Sequence, residues 1–440
     1  MRTGMTGAFR ERATQVRRVL RGLVALALVT SLGCAGGCAQ QDADQDASET
    51  PEQSAVRVAP GVVASQPVVF RVGRSVYANG VDGEPSTLLF TAEENLAGVF
   101  RFSPDGTTAY YVTAAPTGAQ LWAADLAGGE HRVLAEGVID IVRVTADGEI
   151  IALSEEGENP LELVRIDPET GDGEVLAALV GGAVCSDDGE VVAFERALDE
   201  VDPVSPGAIY VMRRDSEPVI VREVQETESA SVLRVSPERL LFVVTAGDPY
   251  RGELLEYDIT SGELTSIATD VGYLDSTEEM GRVVVEVGPE PGDPTISQVV
   301  LMTRTDSGVW DMQAIGEPAA DTVFGAEISD DGTRAVVTAA TLGHGDALRF
   351  YDLTSLQLTH EQSLDEGSAV SVVVVSGDAH SAAYVTQVSP EGTEEGVARE
   401  TLFSTGLDAD TVTLVTTDLE AGGERLTPLA VGDPGGGASY

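Results

Sequence analysis

"RFSPDGTTAYYV", residues 101–112, reads as the end of one strand, a tight turn and the start of the next. Asp105 can fold onto its own backbone, and Gly106 accepts the positive φ that a short hairpin demands. Nineteen residues beyond Gly106 comes Asp125, in "LWAADL", at the end of an apolar run and the head of a second turn. Whether that spacing recurs decides the fold.

It recurs. Comparable tips stand at Gly106 ("SPDG"), Gly148 ("TADG"), Gly189 ("SDDG"), Arg239 ("SPER"), Gly281 ("EEMG"), Gly332 ("SDDG") and Ala379 ("SGDAHS"), at steps of 42, 41, 50, 42, 51 and 47 residues. From tip to second turn, Gly148 to Asp167 and Arg239 to Asp258 repeat the 19-residue interval, and Gly332 to Asp352 takes 20. Asp105, Asp147, Asp188 and Asp331 precede the tip glycines, and Asp125, Asp167, Asp258 and Asp352 head the second turns. Residues that return in unit after unit are expected to be structural. The unit tipped by Gly189 carries an insertion, "ALDEVDPVSPGA", and the unit tipped by Gly281 lacks the second Asp.

Each unit is thus four short strands in a meander, too short to own a core. Such sheets are stable when packed against their neighbours in a ring, which predicts an all-β fold, a β-propeller of four-stranded blades. Period-2 runs such as "TRAVVTAA" argue against helical repeats. Seven tips give seven units, and "VVFRVGRSVYANGVDGEPSTLLFT" (68–91) supplies strands without a first strand of its own. "RLTPLAV" (425–431) can provide it, so eight blades closed by pairing of the two ends are expected, with seven as the alternative. The propeller is assigned to 59–432 and a frayed tail to 433–440.

The stretch "FRFSPDGTTAYYVT…AQLWAADLAGGEHRVL" resembles the PD40 or TolB-like propeller repeat, whose hallmark is an "FSPDG" turn followed by "LW…DL…G". The match is good over 97–136, fair over 137–180 and 325–360, and degenerate elsewhere. The resemblance implies a propeller and leaves the activity open, because such propellers serve as translocation scaffolds, peptidase gates, lyases and sensors.

The N-terminus gives an address. Arg2, Arg10, Arg12, Arg17, Arg18 and Arg21 against Glu11 precede "GLVALALVTSLG", an n-region and h-region of a signal peptide (1–33). About a dozen apolar residues fall short of the roughly 20 that span a bilayer. "TSLGC" resembles the bacterial lipobox, which makes Cys34 the expected site of lipidation, with Cys38 the alternative and a plain secretion signal the third possibility. Residues 34–58, rich in small and acidic side chains, read as a flexible tether. The expected location is the bacterial cell envelope, lipid-anchored and facing the periplasm or the exterior. Cys185, on an apolar strand, has no partner for a disulfide and is expected to be a buried, inert thiol.

The chain has 73 acidic and 26 basic side chains, a net of −47, and every basic residue is Arg. Without residues 1–33 the count is 20 against 72. Such a surface repels nucleic acid and anionic headgroups. We read it as a mark of habitat, since salt screens the self-repulsion of so charged a surface.

Candidate chemistry is sparse. The resemblance includes oligogalacturonate lyases, which gather histidines round a metal; His131, His344, His360 and His380 are scattered here and are expected at the surface. "DADQDASETPEQ" (42–53) begins like a calcium loop but has Ala47 and Gln53 where Gly and Glu are needed. Asp187, Asp188, Asp330 and Asp331 are expected to bond to their own turns. No GxSxG elbow and no phosphate or dinucleotide loop occurs in the sequence. The expectation is a non-catalytic envelope scaffold, monomeric, holding a protein or a glycan. The alternative is a metal-assisted lyase or lactonase-like enzyme in the central channel; no cofactor is predicted, with a divalent cation as the open case.

Overall fold

In the computed structural model of the chain, the described residues are 68–431 without 80–85, 93, 95, 116–117, 127–129, 156–160, 198–206, 247–250, 289–297, 317–320, 342–344, 365–367, 389–397, 408 and 420–424. They are all strand and turn, with no helix among them. The signal peptide, Cys34, Cys38, the tether, His344 and the tail lie outside the described residues.

The strands form six antiparallel sheets of four and one of seven. Each four-strand unit runs in chain order from an innermost to an outermost strand, and the units follow one another round an axis. Unit 2 is Leu96–Phe102, Thr108–Ala115, Gly118–Asp125 and His131–Glu136; unit 3 is Val138–Val144, Ile150–Ser154, Glu162–Ile166 and Gly173–Ala178. Unit 4 is Val180–Cys185, Val191–Ala197, Gly207–Arg213 and Val219–Glu223. The seven-stranded sheet begins with Glu228–Val235, Arg239–Ala246 and Gly252–Asp258, passes through the long Leu264–Ser276, and ends with Arg282–Val287, Gln298–Arg304 and Trp310–Ala314. We count it as units 5 and 6, with Leu264–Ser276 serving as last strand of one and first strand of the other. Unit 7 is Asp321–Ile328, Arg334–Thr341, Gly345–Asp352 and Gln357–Ser363; unit 8 is Ser368–Val375, Ser381–Val388, Ala398–Gly406 and Ala409–Leu419.

Second strands are apolar on both faces because each sheet lies between two others. In Val191–Ala197, Val192 and Phe194 join the core shared with unit 3, while Val191 and Ala193 join the core shared with unit 5. The alternation of a strand therefore sends successive side chains into different interfaces. Outermost strands lose this pattern: Trp310–Ala314 is exposed at every position but its first. The hydrophobic core is consequently a series of clusters between consecutive units rather than one centre. In one of them Phe90 of unit 1 stacks on Tyr111 of unit 2, with ring centroids 5.3 Å apart, and Tyr111 stacks in turn on Trp122.

The ring closes through the two ends of the described chain. Unit 1 is Val68–Val72, Ser75–Asn79 and Thr87–Thr91, and its innermost strand is Leu426–Val431. The pairing is antiparallel, with Val68 opposite Val431 and Val72 opposite Leu426, and a bulge between Val69 and Phe70. Phe70, Leu426 and Val431 pack with Val385 and Leu402 of unit 8, and Leu429 packs toward unit 2 with Val69 and Trp122. This strand pairing and these two interfaces make the fold a closed β-propeller.

Two tips differ from their expected alignment. Arg239 is the first residue of its strand, pairing with Asp258 as Thr108 pairs with Asp125. Its tip is two residues shorter than that of Thr108, and the following loop is longer, so the shared 19-residue interval is a cancellation. In "EEMG" the left-handed residue is Met280, at φ 52°, and not Gly281. Met280 N donates to Thr277 O as Gly106 N donates to Ser103 O. Burial of the Met280 side chain in the core between units 5 and 6 offsets the strain of that φ.

Because Leu426, Leu429 and Val431 are buried in two interfaces, truncation after Arg425 is expected to lower the melting temperature by ten degrees or more. Truncation after Gly432, which keeps the strand whole, is expected to move it by no more than a degree or two. Thermal denaturation of both forms checks this.

Candidate functional site

The repeated turns are built alike. Ser103, Thr145, Ser186, Ser329 and Ser376 each donate a side-chain hydrogen bond to the Asp two residues on (Asp105, Asp147, Asp188, Asp331 and Asp378), at 2.5–2.7 Å. That Asp then accepts a backbone N–H two residues further, as Thr107 N to Asp105 at 3.1 Å and Thr333 N to Asp331 at 2.9 Å. Gly106, Gly148, Gly189 and Gly332 hold φ of 68°, 91°, 72° and 67°. At the second turns Asp167, Asp258 and Asp352 accept the N–H groups of Glu169, Ser261 and Thr354 at 2.7–2.8 Å. Asp125 holds its turn through its backbone, N to Glu130 O at 2.8 Å. Hydrogen bonds to the ionised form hold Asp105, Asp147, Asp167, Asp258, Asp331 and Asp352 below the usual carboxylate range.

Asp187 and Asp330 do not bond to their own turns as expected. Only the second Asp of "SDDG" is placed to cap the turn; the first points toward a neighbouring unit. Asp187 pairs with Arg143 of unit 3, and Asp330 reaches Gly377 of unit 8. The tips themselves are tied together, Ala146 N to Asp187 O and Asp330 N to Gly377 O, both at 2.8 Å. Arginines add to this: Arg213 donates to Pro237 O at 3.1 Å, Arg239 to Glu279 O at 3.0 Å, and Arg282 to Gly332 O at 2.5 Å.

Toward the axis a different device appears. An innermost strand has a partner on one side only, so alternate N–H groups face the channel unpaired by the sheet. Carboxylates of the preceding unit accept several of them. Val232 N donates to Glu195 at 3.1 Å, Ile328 N to Asp275 at 2.8 Å, Val370 N to Asp346 at 2.9 Å and Leu426 N to Glu400 at 2.8 Å. Val375 N likewise serves Glu327. The Glu195 carboxylate lies against Gly181 and Gly182 of its own sheet.

Innermost strands of units 3 to 8 enclose a cavity of about 350 Å³ that contains Arg143, Arg234, Asp275, Glu327 and Asp330. All but Asp330 stand two residues before the Ser or Thr of a tip, in "RVT", "RVS", "DST" and "EIS". Arg143, Arg234 and Asp275 each follow a β-bulge of the innermost strand, a feature that re-aims the next side chain. The charges are segregated. Arg143 and Arg234 lie on units 3 and 5; Asp275, Glu327 and Asp330 on units 6 and 7.

Desolvation raises the three acids, and Asp275 raises Glu327 further, to about 8. Arg143 is pushed down to about 10 by burial and by the like charge of Arg234. Glu278, on the tip of unit 6, accepts a hydrogen bond from Arg143 at 2.8 Å. Arg234 pairs with Leu241 in the ladder, but among the described residues its guanidinium has neither a hydrogen bond nor an ion pair.

Cys185, on the wall of this cavity, is 6% exposed and its thiol is pushed up to about 12, chiefly by burial. His131 and His360 are half-buried rather than at the surface: His131 sits edge-on to Phe90 and Trp122, and His360 leans on Phe350. His380 lies 3.4 Å from Asp378 on a tip. The structure brings none of the three together, and among the described residues no group of three or more His, Cys, Asp or Glu is placed to hold a metal ion. No helix among them is long and apolar enough to cross a membrane.

No protein-family model and no curated protein matches the sequence. Among solved structures, the chain is similar to a post-proline cleaving enzyme from Rickettsia typhi, with 11% identity, 72% of this chain and 52% of that one covered, and a TM-score of 0.50. It is also similar to TolB from Acinetobacter baumannii (14% identity, 59% and 65% covered, TM-score 0.35) and to an oligogalacturonate lyase in complex with manganese (11%, 82% and 99%, 0.49). The chain thus matches only about half to two thirds of the post-proline enzyme and of TolB. At these identities the likeness is one of fold alone.

Glu195, pushed up to about 7, and Glu327, up to about 8, both owe the shift first to desolvation. Each keeps a proton when folded that it loses when unfolded, from pH 4.5 up to its folded value. Stability is therefore expected to fall as the pH rises from 5 to 8, by at most about 1.4 kcal/mol per pH unit for each group. Glu327→Gln is expected to flatten the curve above pH 7. Denaturant midpoints across this range check it, and a wild-type midpoint rising from pH 5 to 8 would contradict it.

Proposed function

We propose that this protein is a lipid-anchored propeller of the bacterial envelope, tethered through Cys34, that acts as a non-catalytic scaffold and holds a protein or glycan partner on the face formed by its tips. One observation carries the reading: the tips are fixed before any partner arrives. Backbone bonds between Ala146 and Asp187 and between Asp330 and Gly377, with the arginine bridges to Pro237, Glu279 and Gly332, leave little of that face to be ordered on binding. Preorganisation of this kind lowers the entropic cost of association. The apolar h-region ending at "SLGC" supports the anchor, and the acidic polar stretch after it supports a tether.

A photo-crosslinking residue placed at exposed Glu279, on a tip, is expected to give one discrete adduct in envelope preparations. The same residue at exposed Asp311, on an outermost strand, is expected to give none. Cys34→Ser is expected to release the protein from the membrane fraction and remove the adduct. Equal adducts from both positions would contradict a tip-face partner, and unchanged membrane fractionation of Cys34→Ser would contradict the anchor.

A further inference from the structure

The axial cavity has a polarity that a scaffold does not need. On one side Arg234 presents a guanidinium without a hydrogen-bonding or ion-pairing partner among the described residues; Arg143, on the same side, is already engaged by Asp187 and Glu278. On the other side Asp275, Glu327 and Asp330 converge from units 6 and 7, close enough that Asp275 perturbs Glu327 and Asp330 perturbs Asp275. Arg234 acts on Asp275 and Asp330 through its field, yet lies beyond ion-pair distance of both. Opposite charges are therefore held apart across a space of about 350 Å³, near the lower end of small-molecule sites.

A bulge precedes both Arg234 and Asp275, at Leu233 and at Leu274. Each inserts one residue into an innermost strand just before the charged one, so that Arg234 and Asp275 sit at the same level of neighbouring units. Asp275 accepts the N–H of Ile328 at 2.8 Å and a backbone hydrogen bond from Ser276, which together fix its carboxylate at the cavity wall. Exposed Asp330 brings the cavity to the tip face.

We propose that this cavity is a binding site for a small zwitterion, its carboxylate taken by Arg234 and its ammonium by Asp275, Glu327 and Asp330. Arg offers a planar fork suited to a carboxylate. The three acids, whose ionisation is opposed by burial and by one another, are favoured in their charged form by a cation among them. A ligand with both ends satisfies both walls at once, whereas an anion alone leaves the acids crowded and a cation alone leaves Arg234 unmatched. The site is independent of any partner on the tips, so its failure leaves the scaffold reading standing, and the reverse.

Isothermal titration of the purified full chain with glycine, β-alanine and 4-aminobutyrate, against acetate and ethylamine as one-ended probes, tests it. At least one zwitterion is expected to bind ten-fold or more tightly than either one-ended probe. Arg234→Gln is expected to weaken that binding ten-fold or more, and Asp105→Asn, at a tip turn outside the cavity, to leave it unchanged. If Arg234→Gln does not fold, Glu327→Gln supplies the second arm, with an expected loss of at least three-fold. Acetate or ethylamine binding as tightly as every zwitterion, binding unaffected by the substitution tested, or no binding by any zwitterion overturns the proposal.

Discussion

Everything in this molecule depends on one constraint: a four-stranded sheet with two apolar faces cannot be left uncovered on either. Tyr110 and Tyr111, adjacent in one strand, belong to cores on opposite sides of their sheet. Each unit must therefore have a neighbour before and after it, and the only arrangement without an exposed apolar face is a circle. The Val68–Val72 to Leu426–Val431 pairing completes that circle by giving the first unit an innermost strand from the far end of the sequence. Stability is distributed over interfaces between units, so loss of one is felt as the opening of the whole.

Closing the circle creates a second problem at its centre. Innermost strands expose N–H groups toward the axis, and the chain meets this with carboxylates from the preceding unit. That solution fits a sequence with 73 acids, and it explains why Glu195, Asp275, Glu327 and Glu400 are all raised by burial. Some arginines serve as joints: Arg213, Arg239 and Arg282 donate to carbonyls of the next unit. In so acidic a protein each such cation also reduces the local repulsion between tips. The Arg234 guanidinium makes no such joint among the described residues.

The turns and the ring were legible in the sequence because they are chemically constrained. A positive φ demands Gly, and an adjacent Asp capped by Ser or Thr leaves letters that recur. Where the letters change, alignment slips: Met280 holds the left-handed position without being Gly, and Arg239 opens its strand after a shortened tip. The closing strand was legible as a deficit, one first strand missing at one end and one spare run at the other. The channel was not. Its residues form a column that reads "RFS", "RVT", "VCS", "RVS", "DST", "EIS" and "VVS" in successive units. The Ser or Thr persists because every tip needs it, while the position two before it varies because it faces the axis and no turn dictates it. Repetition exposes the scaffold and hides the site, which differs from unit to unit.

The claim that carries the rest is that Leu426–Val431 is an integral strand of the ring. Hydrogen exchange followed by mass spectrometry measures it directly in the intact chain. The account predicts that amides paired between Val68–Val72 and Leu426–Val431 exchange as slowly as those of a central strand such as Val191–Ala197, through global unfolding alone. Exchange of Leu426–Val431 at the rate of a frayed terminus, with Val191–Ala197 still protected, would contradict it.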